Sequence, residues 1–409
     1  MPTPSLDGAG FSRARSTKSK AAVLVCFLVA LIDGYDTLML SFIAPLISRE
    51  WSLPPGSFGK IFAASFAGTA VGAIALGAAA DRFGRKGLLA LALALAGSMT
   101  LLCAWAETTG QLMLWRFVAG IGLGGAIPTV SALAAEHARP DRRTETVSRM
   151  FLGFPIGAVA GGAITAALMR SLGWRGMFVG GGVLAMLLLP VALTVIDETA
   201  SGRAAAEARA LARRSISELV AQGRLLGTVL LCAAVFLILL VSYFLLSWTP
   251  SVLALNGVSP QRATLAAVVI NIGGIVGALG LSFLLVGRNP FLLVAIALSS
   301  GALLIPLFGF QLVGNNAAFA LLFAIGLLLL GGQMNILGLC IHYYPPALRA
   351  TGVGLSMAIG RLGSIVGPLL GGLLVDAHQP WSRLFLLAAL PAFLAAAAMA
   401  CIAWTAKPT

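Results

Sequence analysis

The chain alternates between long apolar runs and short polar interruptions. From residue 21 onward, apolar segments occupy approximately 21–47, 57–80, 87–106, 111–136, 146–169, 175–196, 225–249, 262–287, 291–311, 316–343, 351–376 and 382–404. Each is near the roughly 20 residues that a helix rising ~1.5 Å per residue needs to cross a ~30 Å hydrocarbon core. The pattern predicts an all-α membrane protein with twelve transmembrane helices, span one to span twelve. Residues 1–20 read as a polar, basic tail, 197–224 as a charged, helix-prone linker, and 405–409 as a short C-terminal tail. The linker divides the spans into a 21–196 half and a 225–404 half.

Twelve spans place both termini on one side. Nineteen of the 27 Lys and Arg fall in the tails and the even-numbered loops, and six in the odd-numbered loops. By the positive-inside rule this places both termini in the cytoplasm of a multi-pass membrane protein. The same distribution accounts for the net charge of +13 through topology, without a nucleic-acid partner. Composition agrees: 59% of residues are apolar and 10% charged, against about a quarter charged in soluble domains. The five cysteines all sit in apolar segments with no metal-ligand spacing, so neither a metal site nor a disulfide framework is expected. The first segment is too long for a signal-peptide core and carries acids at its centre, which argues against a cleaved leader.

The halves echo each other. Gly77–Lys86 follows span two as Gly280–Asn289 follows span eight, at an offset of 203. Gly124-Gly125 with Arg142 matches Gly331-Gly332 with Arg349 at 207, and Gly157-x-x-x-Gly161-Gly162 matches Gly367-x-x-x-Gly371-Gly372 at 210. Three matches in one order indicate a duplicated six-helix unit, the architecture in which transporters bind substrate near the midplane.

The candidate chemistry lies inside the spans. Asp33 and Asp36 occupy the middle of span one, three residues apart and so on one helix face. Intramembrane acids are costly and mark functional sites, here a proton-coupling pair. The alternative is that both are structural, capped by hydroxyls or paired with a cation. Arg361 lies about ten residues into span eleven, and its planar fork needs an anion there, either a substrate carboxylate or a span-one acid. Asn271, Gln333 and Asn335 are polar positions in apolar spans that fit a cavity lining. His342, at the end of span ten, is either a proton relay or a hydrogen-bonded helix-end residue.

Gly77-x-x-x-Asp81-Arg82-x-Gly84-Arg85-Lys86 resembles the signature loop between helices two and three of the major facilitator superfamily. The resemblance implies a fold of two pseudo-symmetric six-helix halves. It also implies a gating latch, made by Gly77, Asp81, Arg82, Gly84 and Arg85, that stabilises the outward-facing state. Gly77 and Gly84 would permit a tight turn. The second copy has Leu284 in place of Asp81, which weakens any latch in that half. Arg116-x-x-x-Gly120-x-Gly122 is similar to the superfamily's fourth-helix pattern. Such an arginine contacts the span-one acids, links them to the latch, or extends to interfacial water.

Asp33-Gly-Tyr-Asp36, Leu246-Ser-Trp-Thr-Pro250, Gly332-Gln333 and the span-eleven run from Arg349 to Gly372 together resemble the aromatic acid:proton symporter family. That resemblance implies proton-coupled uptake of a small aromatic carboxylate across a bacterial inner membrane, with Tyr243 and Trp248 beside the ring. The coupling ion is the proton, and no cofactor is implied. Membrane lipid surrounds a monomer. Benzoate, hydroxybenzoate, vanillate, hydroxyphenylpropionate and muconate all suit one arginine and a few aromatics.

A proton-driven exporter of the same fold is the main rival. Gly363-x-x-x-Gly367-Pro368 on span eleven looks like the exporters' fifth-helix motif, but it stands in the other half, and span five has Ala158 at the proline position. A transporter-like receptor is a further reading. An intramembrane aspartyl protease needs two acids facing each other from different helices, whereas these share one helix, so an enzyme is not expected.

Overall fold

The computed structural model describes residues 7–197, 224–285, 287–310, 316–346 and 348–405. Apart from its end residues, the 197–224 linker lies outside the described residues, as does the chain beyond Thr405. Spans one to four are the helices Asp7–Glu50, Phe58–Phe83, Arg85–Cys103 and Thr109–His137. A short helix, Arg143–Phe151, leads into Gly153–Val195. Spans seven, eight, nine, eleven and twelve are Leu225–Leu255, Pro260–Leu284, Pro290–Phe310, Arg349–Asp376 and Trp381–Thr405. Span ten, Asn316–Tyr343, carries a π-helical turn at Gly326–Leu330 and a break at Asn335.

Among the described residues, eleven helices are long and apolar enough to cross a membrane, and the length and kink of one of them fit two crossings. Gly153–Val195 has 43 residues, or roughly 65 Å of helix, about twice the hydrocarbon core. At Gly173 the backbone turns to φ 63°, ψ −176°, and there span five ends and span six begins. The first helix starts at Asp7, well before the apolar run at residue 21. Hydropathy marks where a helix enters lipid, while backbone hydrogen bonding continues into the polar tail.

Glycine sets the packing. In lipid, helices gain little from the hydrophobic effect, and close backbone approach takes its place. Span one meets span five where Gly34 faces the Phe154 carbonyl and Gly157 faces that of Leu31. Span two meets span four at Gly68 and Gly72, against the carbonyls of Phe117 and Ile121. The second half repeats both pairings. Span seven meets span eleven at Gly363 and Gly367, and span eight meets span ten at Gly273 and Gly277. The duplication read from the sequence is thus a duplication of contacts. It extends to the turns, because Gly84 and Gly287, 203 positions apart, both take positive φ, at 92° and 72°. Gly77, in contrast, lies within the helix Phe58–Phe83 rather than in the turn, and a side chain there would meet the ring of Pro128.

The two ends of the bundle differ. At the end opposite the termini, Leu38, Phe42, Phe58, Phe62 and Phe66 of the first half join a hydrophobic core that runs through the second half. At the termini-bearing end, Cys26, Val29, Leu89, Val130, Met150 and their neighbours form a second core drawn from the first half alone. Among the described residues, the hydrogen bonds that cross between halves lie at the opposite end. The amide of Gly56 donates to Asp376 Oδ1 at 2.9 Å, and Thr264 Oγ1 donates to the Phe42 carbonyl at 3.4 Å. Among the described residues the halves are therefore joined at that end, while the core at the end bearing the termini stays within the first half.

Candidate functional site

Asp33 and Asp36 sit one helical turn apart near the middle of span one, and both are buried. Their surroundings differ. Arg116 Nη1 lies 2.9 Å from Asp36 Oδ2, and Thr100 Oγ1 donates to Asp36 Oδ1 at 2.8 Å. Arg116 Nη2 also donates to the backbone carbonyl of Asp36 and to Ser65 Oγ, each at 3.2 Å. Arg116 is 0% exposed. The Asp36 cluster thus ties spans one, two, three and four together inside the first half. Of the three readings of Arg116, the structure takes the first: the guanidinium reaches a span-one acid, and neither interfacial water nor the Gly77–Lys86 loop.

Asp33 has no such partner. Among the described residues its one hydrogen bond is a long 3.5 Å contact from Thr37 Oγ1, on its own helix. Arg361, from the other half, acts on it electrostatically without ion-pair contact. Tyr243 of span seven feels both Arg361 and Asp33. An acid, a guanidinium and a phenol from spans one, eleven and seven thus lie within electrostatic range of one another across the boundary between halves, without direct contact among them. The glycine contacts described above fix that geometry, since Gly363 and Gly367 seat span eleven directly on the span-seven backbone.

The other candidate residues lie apart from this convergence or are engaged in packing. Trp248 is fully buried, and its Nε1 donates to the Pro368 carbonyl at 2.9 Å. Asn271 Nδ2 donates to the Ala267 carbonyl of its own helix at 2.7 Å. Asn335 bridges to span eight, donating to the Ala278 carbonyl and accepting from Ser282 Oγ at 3.1 Å. Gln333 Oε1 is shielded from solvent without a partner among the described residues. His342 is exposed at the termini-bearing end, 5.9 Å from the Phe291 ring. In the signature loop, Arg85 pairs with Glu136 at the end of span four. The side chains of Asp81 and Arg82 lie outside the described residues.

Four contributors were not singled out from sequence: Thr100, Ser65, Phe66 and Asp376. The first two are hydroxyls among many in apolar helices. Phe66 is one of 21 phenylalanines. Asp376 reads as an ordinary acid at a helix end.

A family model described as the Major Facilitator Superfamily matches residues 26–341. The chain belongs to the Major Facilitator Superfamily. Among its superfamily relatives is the gallate transporter of Pseudomonas putida, 34% identical over 404 residues, covering 92% of this chain and 90% of the relative. The 4-hydroxybenzoate transporter PcaK of the same organism is 32% identical and covers 91% and 90%. The superfamily fold is also evident in a solved structure, a D-xylose-proton symporter, with a TM-score of 0.75 at 20% identity, covering 95% of this chain and 98% of the other. These are transporters rather than enzymes, and the protease reading falls away with them.

Proposed function

We propose that this superfamily member imports a small aromatic carboxylate across a bacterial inner membrane, coupled to proton entry, and works as a monomer with both termini in the cytoplasm. The observation that carries the reading is that buried Asp33, which lacks an ion-pair partner among the described residues, lies within electrostatic range of Arg361 from the other half, as does Tyr243. The relatives named for gallate and 4-hydroxybenzoate support an aromatic acid as substrate.

The chemistry follows from competition for one cation. Ionised Asp33 shares the field of Arg361. A proton on Asp33 removes that charge and leaves the guanidinium to a carboxylate from the substrate, which its planar fork fits with two parallel hydrogen bonds. Loss of the proton restores the competition and favours release. Proton and substrate then occupy the site together and leave it together. Rocking of the halves about this midplane site alternates its exposure. The form described here, joined at the end opposite the termini, is the cytoplasm-facing one, and the Gly77–Lys86 loop is the latch of the opposite state.

The test is uptake of labelled benzoate, 4-hydroxybenzoate, gallate and vanillate into cells expressing the chain, with and without a protonophore. Accumulation of one acid that collapses with the protonophore is expected. Heightened resistance to the acid, with lowered cellular content, would instead establish the exporter.

A further inference from the structure

Among the described residues, two aromatic pairs cross between the halves, one helical turn apart. The outer pair is Phe62 with Trp248, centroids 6.0 Å apart at 81°. The inner pair is Phe66 with Tyr243, 4.7 Å apart at 74°. Span two runs inward from Phe62 to Phe66, and span seven runs outward from Tyr243 to Trp248, so the second pair lies deeper in the membrane. The pairs are held differently. Trp248 is fastened to the span-eleven backbone through its N–H, and the outer pair closes the bundle. Tyr243 instead stands within the field of both Arg361 and Asp33, so the inner pair borders the charged site.

We infer that Phe66 is a specificity-determining residue, forming with Tyr243 the aromatic wall against which the substrate ring packs. The inference rests on the aromatic-acid reading above. Aromatic rings prefer edge-to-face or offset contact at centroid separations of about 4.5–7 Å. Tyr243 stands in the field of Arg361, so the proposed wall is placed to receive the ring of a benzoate-type anion whose carboxylate Arg361 holds. The backbone that carries Phe66 is also tied down. Its carbonyl accepts from Thr69 Oγ1 at 2.7 Å, and its neighbour Ser65 accepts from Arg116 at 3.2 Å. The Asp36–Arg116 cluster therefore positions one side of the wall, while the Gly363 and Gly367 contacts position the other. A wall whose backbone is held on both sides discriminates by size, because the helices that carry the rings resist moving apart to admit a bulkier substituent.

The experiment compares Vmax/KM for benzoate, 4-hydroxybenzoate and 4-hydroxy-3-methoxybenzoate in wild type, Phe66→Leu and Phe66→Ala. Membrane abundance and monodispersity in detergent are measured in parallel. The expected result is a KM for the unsubstituted acid at least tenfold higher in Phe66→Ala. The preference ratio should also shift at least tenfold toward the methoxylated acid, with Phe66→Leu intermediate. A general structural defect lowers all three acids equally and leaves the ratio unchanged. An unchanged ratio in Phe66→Leu, with the protein present and monodisperse, overturns the assignment even if Phe66→Ala fails to fold. Transport by wild type with unchanged ratios in the variants sinks this inference alone. No transport of any aromatic acid by wild type sinks the aromatic-acid reading and this inference with it.

Discussion

Asp33 and Asp36 are the same residue type, on the same face of the same helix, at nearly the same depth. Asp36 is enclosed by Arg116, Thr100 and its own half. Asp33 looks across to Arg361 with one long hydrogen bond behind it. Chemistry alone cannot separate them, so their difference lies in what the neighbouring helices bring. A carboxylate with a bonded cation and a hydroxyl donor is a fastening, and one whose cation belongs to the other half is a movable part. In the account proposed here Asp36 holds the first half rigid, so that protonation of Asp33 is felt at Arg361.

The comparison breaks most severely at the fastening. Asp36→Ala strands a buried guanidinium and is expected to cost about 3–5 kcal/mol, seen as a large drop in detergent melting temperature. Arg116→Ala should match it. The double variant should lose less than the sum of the two, because neither charge is left alone. Equal, additive losses would mean that the 2.9 Å contact contributes nothing.

The next effect falls on the movable side. Arg361→Gln removes a charge-assisted partner for the substrate, worth about 1.5–3 kcal/mol, or on the order of a ten- to hundredfold rise in KM, with little change in melting. Arg361→Lys should recover charge but not two-point geometry and so fall between. Thr100→Val is smaller again. It deletes one hydrogen bond to a carboxylate and should lower stability by about 1–2 kcal/mol without changing substrate preference. The smallest effect is expected at the closed end, where Asp376→Ala removes the acceptor of the Gly56 amide. A net hydrogen bond of about 1 kcal/mol should shift the balance of states toward the one open at that end, read as faster labelling of a cysteine placed at Ser251, which is buried near that end of span seven. Unchanged labelling would show that the glycine and aromatic contacts alone keep that end shut.

Much of the fold was legible because its signal is physical and local. Hydropathy gave twelve spans, and the break between spans five and six fell at Gly173, inside the polar interval expected there. The offsets of 203 to 210 anticipated a repeat that the structure expresses as paired glycine contacts. Where tertiary choice decides, the pattern was mute. Gly77 belongs to a helix because its neighbours are good helix formers and Gly84 alone supplies the positive φ of the turn. Asp33 and Asp36 stood out because acids are rare in lipid, but nothing in the sequence said that Thr100, among so many hydroxyls, would face one of them. Trp248 stood beside a family-like motif, yet its N–H is spent on a backbone carbonyl, a commitment that no spacing reveals.

The most direct test of the account separates coupling from binding at Asp33. Asp33→Asn keeps the shape, removes the exchangeable proton and leaves Arg361 without a competing charge. Purified protein in liposomes would be assayed for uptake driven by an imposed proton gradient and for counterflow of labelled acid against unlabelled acid with no gradient. The account predicts that Asp33→Asn loses gradient-driven accumulation entirely while counterflow continues. Gradient-driven accumulation by Asp33→Asn to the wild-type level would contradict it and assign the proton to another group.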